Sequence, residues 1–157
     1  MPRLVTNEVN ADAKSRLVAI RLASLTLRLR ESWSQLFGDA DTAAIALAIV
    51  AIVSERLLRE DLDPPFESLA TPLPAEFLGT CNISSIATAT GLNRETARRK
   101  VNQLVRDGMI SRDGAAIRLA PGFTQQQMVI KMIRSQLDEV RRASNDLMRE
   151  GVFTVEK

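Results

Sequence analysis

Two long stretches, one near each end of the chain, carry apolar residues at the spacing of an amphipathic helix. From about Ala11 to Phe37, and from Thr124 to about Glu150, apolar residues recur at alternating steps of three and four, which places them on one helical face. Thr124 and Gln127 match a capping box for the second helix. Such a stripe must be covered, either by the rest of the chain or by a second chain. The residues predicted to make dimer contacts are Leu22, Leu25, Leu29, Trp33, Ile133, Leu137 and Val140.

The region between these stretches begins with an almost wholly apolar segment. The first helix ends at a glycine, and Asp39 or Asp41 is expected to cap a scaffold helix over residues 42–60. The first half of that helix is apolar on every side, which is typical of a helix in the centre of a protein. Residues 61–76 hold four of the six prolines and are interpreted as a connector with extended backbone. Residues 1–10 show little periodicity and are expected to form a loose arm.

Residues 82–119 alternate between short helical patterns and strand patterns. Ser84 is a good N-cap for a first helix, and Gly91 is the type of residue that ends a helix in the left-handed conformation. Asn93 is expected to cap a second helix with an apolar inner face. An Asp-Gly pair at 113–114 is expected to form the two-residue turn of a hairpin. The residues expected to face inward are Ala97, Val101, Leu104 and Val105.

The outer face of the second predicted helix is polar and basic. Arginine can form paired hydrogen bonds with a guanine edge, glutamate can accept from cytosine, and asparagine can bind adenine. Hydroxyl groups near helix N-termini and arginines on the hairpin are suited to phosphates. The alternative is a solvated face with ordinary ion pairs. The residues expected to read bases are Arg94, Glu95, Arg98, Arg99 and Asn102. The residues expected to contact the DNA backbone are Ser84, Ser85, Thr96, Arg112 and Arg118.

This succession of two helices and a hairpin resembles the winged helix-turn-helix superfamily. The sequence Asn-Arg-Glu-Thr-Ala-Arg-Arg at residues 93–99 is similar to the start of the recognition helix in the cyclic-AMP-receptor group of bacterial regulators. Residues 104–110 resemble the junction between helix and wing in winged-helix repressors. One departure is Lys100, where that group buries an aliphatic residue, and its charge is expected to stay outside. Nothing that precedes the motif resembles a cyclic-nucleotide-binding β-roll.

The overall layout resembles repressors of the MarR type at low resolution. In that family, helices before and after the motif intertwine between two chains, which implies a homodimer. The predicted fold is mainly α: a winged helix-turn-helix with long N- and C-terminal helices and a small two-stranded β-wing. The predicted domains are an arm and dimerisation helix at 1–37, a DNA-binding domain at 38–121 with its motif at 82–107 and its wing at 109–119, and a dimerisation helix at 122–157.

Composition narrows the classes of function. The chain has 157 residues, a net charge of +2, no histidine, no tyrosine and one cysteine, Cys81, which excludes a disulfide within the chain. No Walker loop, nucleophile elbow or metal-ligand spacing is present, so we expect neither an enzyme nor a cofactor. Residues 38–76 hold two basic and eight acidic residues, whereas residues 77–121 hold seven and three. The basic block coincides with the motif, where an anion would bind.

The remaining sequence signals concern location and partners. The N-terminus lacks the apolar segment of a secretory signal, and the longest apolar run, from Ala43 to Val53, is far shorter than the roughly 20 residues that span a bilayer. We therefore expect a cytoplasmic protein with no membrane partner. Cys81 is expected to be a small buried residue rather than a redox sensor.

Two hypotheses of function follow. The first is a sequence-specific transcription regulator that binds a pseudo-palindromic operator in double-stranded DNA as a homodimer. An unidentified small-molecule effector of this regulator would bind between the alanine-rich helix and a terminal helix. The second hypothesis is a winged-helix scaffold for protein–protein interaction, without direct DNA readout.

Overall fold

The computed structural model describes residues 1–59 and 62–156, which fold mainly into α-helices as predicted, with two small antiparallel sheets. The contacts divide the chain into a terminal unit, formed by residues 1–32 and the chain from residue 132 onward, and a central unit of residues 33–131. No single described helix is long and apolar enough to span a membrane; the bent pair of segments Ser15–Phe37 and Ala40–Leu58 meets that requirement only when the two are counted together. The helices are α1 (Glu8–Ala13), α2 (Ser15–Phe37), α3 (Ala40–Ser54), α4 (Ile83–Thr90), α5 (Arg94–Arg106) and α6 (Gln127–Arg149). The strands are β1 (Arg3–Thr6), β2 (Ile110–Asp113), β3 (Ala116–Leu119) and β4 (Phe153–Glu156).

The N-terminal residues form a strand instead of a loose arm. β1 pairs with β4 in antiparallel fashion, with Arg3 opposite Glu156. Gly151 has a φ of +71° and turns the chain from α6 towards β4, a conformation that glycine adopts without steric cost. The expectation for residues 1–10 is wrong because their pairing partner lies at the other end of the chain, beyond the reach of a local pattern.

The N-terminal helix, expected to be continuous, is divided in two at Lys14. α1 begins after Asn7, whose side-chain oxygen accepts a hydrogen bond from the backbone N–H of Asn10 at 3.1 Å. At the break, Lys14 Nζ donates to the carbonyl of Glu150 at 2.8 Å and to its carboxylate at 3.0 Å. The hydrogen bond and the charge of Lys14 lower the pKa of Glu150. α2 then continues to the predicted end of the helix.

Within the terminal unit, α2 and α6 run antiparallel and are joined by ion pairs one heptad apart. Arg21 contacts Asp146 at 2.7 Å, and Arg28 contacts Glu139 at 2.9 Å. Because the two arginines and the two acidic residues are each separated by one heptad, these contacts lie along one face of each helix. The pairing leaves other apolar side chains exposed. These include Ile20, Leu22, Leu27, Ile133, Leu137 and Val140.

α3 forms the centre of the central unit, as its apolar sequence predicts. Ile45 and Ile49 are fully buried, and α4, α5 and strand β3 all contact this helix. α3 is followed directly by a 3₁₀ turn over Glu55–Leu58, so the charged end of the helix predicted over 42–60 is not α-helical. Glu60 lies outside the described residues. The side chains that complete this core include Ile86, Ala97, Val101, Leu104 and Ile117.

Asp39 caps α3 and also binds α5. Its carboxylate accepts hydrogen bonds from the backbone N–H of Thr42 at 3.0 Å and from the Thr42 hydroxyl at 2.7 Å. Lys100 Nζ donates to the same carboxylate at 2.6 Å, and only 16% of the Lys100 side chain is exposed. Burial acts to raise the pKa of Asp39, but the hydrogen bonds from Lys100 and Thr42 outweigh it and lower the pKa to about 2. The expectation that the Lys100 charge stays outside is therefore wrong, because the charge is paired within the unit.

The proline-rich connector contains short 3₁₀ turns. These turns cover Pro64–Phe66 and Ala75–Phe77, and the rings of Phe66 and Phe77 lie 5.5 Å apart. An aromatic contact thus joins a residue in the first half of the connector to the residue that directly follows it. Asp61, the first residue of the predicted connector, lies outside the described residues.

The start of α6 differs from the sequence-based prediction. The helix begins at Gln127, and a 3₁₀ turn over Phe123–Gln125 precedes it. Gly122, with a φ of +76°, leads into that turn. The capping box predicted at Thr124 is wrong because this residue lies inside the 3₁₀ turn and not at the helix cap.

We expect Asp39→Ala to lower the free energy of unfolding by about 1–3 kcal/mol, because it removes the cap of α3 and leaves Lys100 without its partner. Asp39→Asn keeps a capping acceptor and removes only the charge, so its effect should be smaller. Asp41→Ala, in the same first turn, is the control and should change stability by at most about 1 kcal/mol. Urea unfolding measures all three, and wild-type stability of Asp39→Ala would contradict the assigned role.

The contribution of Asp39 should also depend on pH. Its folded-state pKa of about 2 lies below the ordinary value of 3.8. The carboxylate therefore stabilises the fold fully above about pH 4, and this contribution is lost as the pH falls from there towards 2. We expect the stability difference between the wild type and Asp39→Asn to shrink over this range in urea unfolding. A difference that does not change with pH would show that the charged form of Asp39 is not the one that binds Lys100.

Candidate nucleic-acid interface

α5 turns its apolar residues into the core and its polar residues outward. Ala97 and Val101 are fully buried and Leu104 is 1% exposed, as their spacing predicts. The helix begins after Asn93, whose side-chain oxygen accepts from the backbone N–H of Glu95 at 2.8 Å, which confirms the predicted cap. We call the remaining outward residues the α5 polar face. Its members are Arg94, Glu95, Arg98, Arg99 and Asn102.

The arginines of the α5 polar face have little competition from carboxylates. Arg98 Nη1 lies 3.8 Å from Glu95 Oε2, and these side chains are 53% and 76% exposed, so the ion pair contributes little to stability. Arg94 and Arg99 form no ion pair with the described side chains and are exposed. Three guanidinium groups are therefore available to an anionic partner.

The N-terminus of α4 is capped by a residue that sequence reasoning missed. Asn82 Oδ1 accepts from the backbone N–H of Ser85 at 2.9 Å, and Ser85 Oγ accepts in return from the backbone N–H of Asn82 at 3.0 Å. The prediction of Ser84 as the cap is wrong, because Ser84 already lies within the first turn of α4. The exchange between Asn82 and Ser85, three residues apart, has the reciprocal form of a capping box, but these two residues differ from the Ser or Thr and the Glu or Gln of the usual sequence pattern.

This cap changes which serine is available to a phosphate. The Ser85 hydroxyl donates to the carbonyl of Asn82 at 2.9 Å, so its hydrogen is already engaged. Ser84 is exposed and has no hydrogen-bond partner among the described side chains. Of the two serines predicted to contact the DNA backbone, Ser84 is therefore the better placed.

Two open hollows flank Arg98. The first, of about 350 Å³, lies between the N-terminus of α4, the start of α5 and the hairpin turn. The second, of about 410 Å³, lies along α5. Because guanidinium groups border both, each hollow is suited to an anionic group. The polar residues around the first are Asn82, Ser84, Arg94, Arg98 and Arg112. The residues around the second are Glu95, Thr96, Arg98, Arg99 and Asn102.

The hairpin after α5 has its turn one residue later than predicted. Asp113 pairs with Ala116, so the two-residue turn is Gly114–Ala115 and the predicted turn at 113–114 is wrong. Gly114 has a φ of +56°, and hairpin turns favour glycine at this first central position. The buried side chain of Ile117 attaches the hairpin to the core.

The two arginines of the hairpin differ in their partners. Arg118 is exposed and has no partner among the described side chains. Arg112 folds back: its Nε donates to the carbonyl of Gly114 at 2.9 Å, and its Nη1 donates to Asn102 Oδ1 at 3.2 Å. Arg112, expected to contact the DNA backbone, is thus bonded to a residue expected to read bases. Thr96, half-buried, borders the second hollow.

The residues predicted for dimerisation are divided between the two units. Six of them belong to the terminal unit, and the exposed fractions of Leu137, Val140 and Ile133 are 68%, 43% and 40%. Leu22 is also exposed, whereas the side chains of Leu25 and Leu29 are half-buried. The seventh residue, Trp33, belongs to the central unit. Its ring stacks on Phe37 at a centroid distance of 5.7 Å and packs against the core, so its own chain covers it in part.

Cys81 connects the approach to α4 with the hairpin. Its backbone N–H donates to the carbonyl of Ile117 at 3.0 Å and its carbonyl accepts from Ile117 at 2.8 Å. The side chain is buried, as expected, and burial raises the pKa of the Cys81 thiol to about 11. The thiol is therefore protonated near neutral pH and has a packing role.

The described residues show no cluster of three His, Cys, Asp or Glu side chains placed to hold a metal ion. Comparisons with protein-family models, with curated proteins and with solved structures found nothing that matches this chain. The geometry and charge of the α5 polar face and of the elements beside it therefore indicate what this site can bind.

Proposed function

We propose that α4, α5 and the β2–β3 hairpin form a winged helix-turn-helix. On this proposal the protein is a cytoplasmic, sequence-specific transcription regulator that binds double-stranded DNA as a homodimer on a pseudo-palindromic operator. The observation that carries the proposal is the α5 polar face, which is exposed and presents three arginines that no strong ion pair occupies.

The placement of α5 supports base recognition. An α-helix fits the major groove of B-DNA, where each base pair presents a distinct pattern of donors and acceptors. Arg94, Arg98 and Arg99 lie in the N-terminal half of α5, and each can form two hydrogen bonds with a guanine edge, worth roughly 1–3 kcal/mol of discrimination. Glu95, 76% exposed, can accept from a cytosine amino group.

The elements beside α5 support contact with the DNA backbone. Ser84 lies in the first turn of α4, where unpaired backbone N–H groups and the helix dipole favour an anion. Arg118 extends from the hairpin without a competing partner among the described side chains. Contacts of this kind fix the register of a protein on the duplex, while the base contacts determine the sequence.

The exposed apolar residues of the terminal unit support a dimer. A single motif covers few base pairs, and dimers of such proteins place two recognition helices roughly 34–36 Å apart in successive major grooves. Leu137 projects from the middle of α6 with 68% of its surface exposed. Together with its neighbours one turn away, it forms an apolar stripe that a second chain would cover.

The same stripe favours a second candidate function, a scaffold for protein–protein interaction. In that case a different protein would cover the apolar residues of α6, and the arginines of the α5 polar face would be ordinary solvated side chains. The two functions differ in whether the arginines or the apolar residues are required for binding.

Arg98→Ala combined with Arg99→Ala should abolish selective binding to a duplex selected from random sequence, because it removes two base-contacting groups, while leaving thermal unfolding unchanged. For the wild type, the logarithm of the binding constant should fall with that of the salt concentration, by about 0.9 per phosphate contact. Fluorescence anisotropy with labelled duplexes measures both effects.

The matched control is Arg16→Ala combined with Arg30→Ala, which removes the same charge from exposed positions on α2. This variant should bind the selected duplex within a few-fold of the wild type. Retention of wild-type affinity by the Arg98 and Arg99 double variant would favour the scaffold function instead.

Leu137→Asp should weaken the dimer by at least about tenfold, because a charge would be buried in the apolar interface, whereas the exposed position predicts little effect on folding of the monomer. Asn145→Asp, which adds the same charge elsewhere on α6, serves as the control. Sedimentation equilibrium gives the dimer constants. A monomeric wild type, or an unaffected Leu137→Asp dimer, would exclude this helix as the interface.

A further inference from the structure

Arg112 holds the hairpin turn and α5 together through a single guanidinium group. Its Nε donates to the carbonyl of Gly114, within the turn, at 2.9 Å. Its Nη1 reaches across to Asn102 Oδ1 at 3.2 Å. The planar guanidinium presents its donors in a fixed arrangement, so the turn contact orients the group that meets Asn102.

This contact determines which way the Asn102 amide points. A guanidinium group has donors and no acceptor, so the atom that faces Arg112 must be the amide oxygen and not the nitrogen. The Asn102 amide nitrogen is left without a partner among the described residues. Asn102 borders the hollow along α5 together with Arg98 and Arg99, so the free group of this amide at the α5 polar face is a donor.

We propose that Arg112 is a positioning residue for base recognition and not a phosphate contact: it fixes the Asn102 amide so that its NH₂ group is offered to the DNA. This inference rests on the proposed DNA-binding function. In the major groove, guanine, adenine and thymine each present an acceptor, whereas cytosine presents only the N4 amino donor. Asn102 held in this orientation therefore selects against cytosine on the strand that it contacts.

The test is selection of duplexes from random sequence by the wild type and by variants, followed by affinity measurements on single-base changes. Asn102→Ala identifies the base pair that Asn102 contacts, since preference is lost at that position. At that base pair, the Arg112→Lys and Arg112→Ala variants should both accept cytosine, so that their discrimination against cytosine falls by roughly tenfold relative to the wild type. Once released, the amide can rotate and offer its oxygen to the cytosine amino group.

Arg112→Lys separates positioning from simple charge. Lysine keeps the positive charge, so a phosphate contact would survive the change. It lacks the planar guanidinium group, whose separate N–H donors bind Gly114 and Asn102 at the same time. Arg118→Ala is the matched control on the neighbouring strand. It should weaken binding equally for all sequences and reduce the salt slope by about 0.9, with base preference unchanged.

The inference is overturned if Arg112→Lys keeps the wild-type preference and Arg112→Ala weakens all sequences equally, as the control does. That result would make Arg112 a phosphate contact. Failure of the DNA-binding proposal is a separate outcome, in which the wild type itself enriches no duplex, and the inference then falls with it.

Discussion

A single carboxylate, that of Asp39, joins the start of α3 to the middle of α5, and the orientation of the candidate interface depends on it. Apolar contacts hold α5 against α3, but apolar attraction has no direction. The charged hydrogen bond from Lys100 does have a direction, and it can form only with one side of α5 turned towards Asp39. That rotation is the one in which Ala97 and Val101 enter the core, so Arg98 and Arg99 must face outward.

The energetic cost of this arrangement is limited by where the ion pair lies. Lysine is rarely buried, because removing an ammonium group from water is expensive unless it is paired. The side chain of Lys100 is largely covered, whereas 43% of the Asp39 side chain remains exposed, so the pair is not fully desolvated. We infer that this pair contributes modestly to stability and more to specifying one arrangement of α5 on α3, a role that buried polar groups have in some other proteins.

The features that could be predicted from the sequence are those determined by residues close together in the chain. The left-handed Gly91 that ends α4, the cap at Asn93 and the inward spacing of Ala97 and Val101 all depend on one or two turns of helix. The sequence-based prediction misplaces the cap of α4 because Asn82 and Ser84 are both good capping residues. Only the backbone decides between them, since Asn82 has the extended conformation that a cap requires.

Other features escaped prediction because they join distant parts of the chain. Asp39 and Lys100 are 61 residues apart, and the sequence around either residue gives no indication that the other is its ion-pair partner. The pairing of β1 with β4 joins the two ends of the chain. Asn102 and Arg112 were each assigned to DNA from their own helix or strand, and only the fold shows that they contact each other. The apolar spacing therefore predicts which side of α5 faces outward, while the hydrogen bonds made by that side are visible only in the structure.

The distribution of charge indicates how a partner would approach the central unit. With a net charge of +2 for the whole chain, the proposed binding to DNA would gain little from long-range attraction and would depend on the local excess of basic residues in 77–121. Asp39 of the preceding segment neutralises Lys100, but among the described residues no acidic residue of that segment forms an ion pair with the α5 polar face. Repulsion between the carboxylates of this acidic segment and the phosphates of a duplex would instead disfavour binding of DNA to the segment itself. On the proposed function, most of the binding energy would therefore come from correctly placed contacts and little from nonspecific attraction to phosphates. This favours sequence-specific binding over nonspecific binding along the duplex.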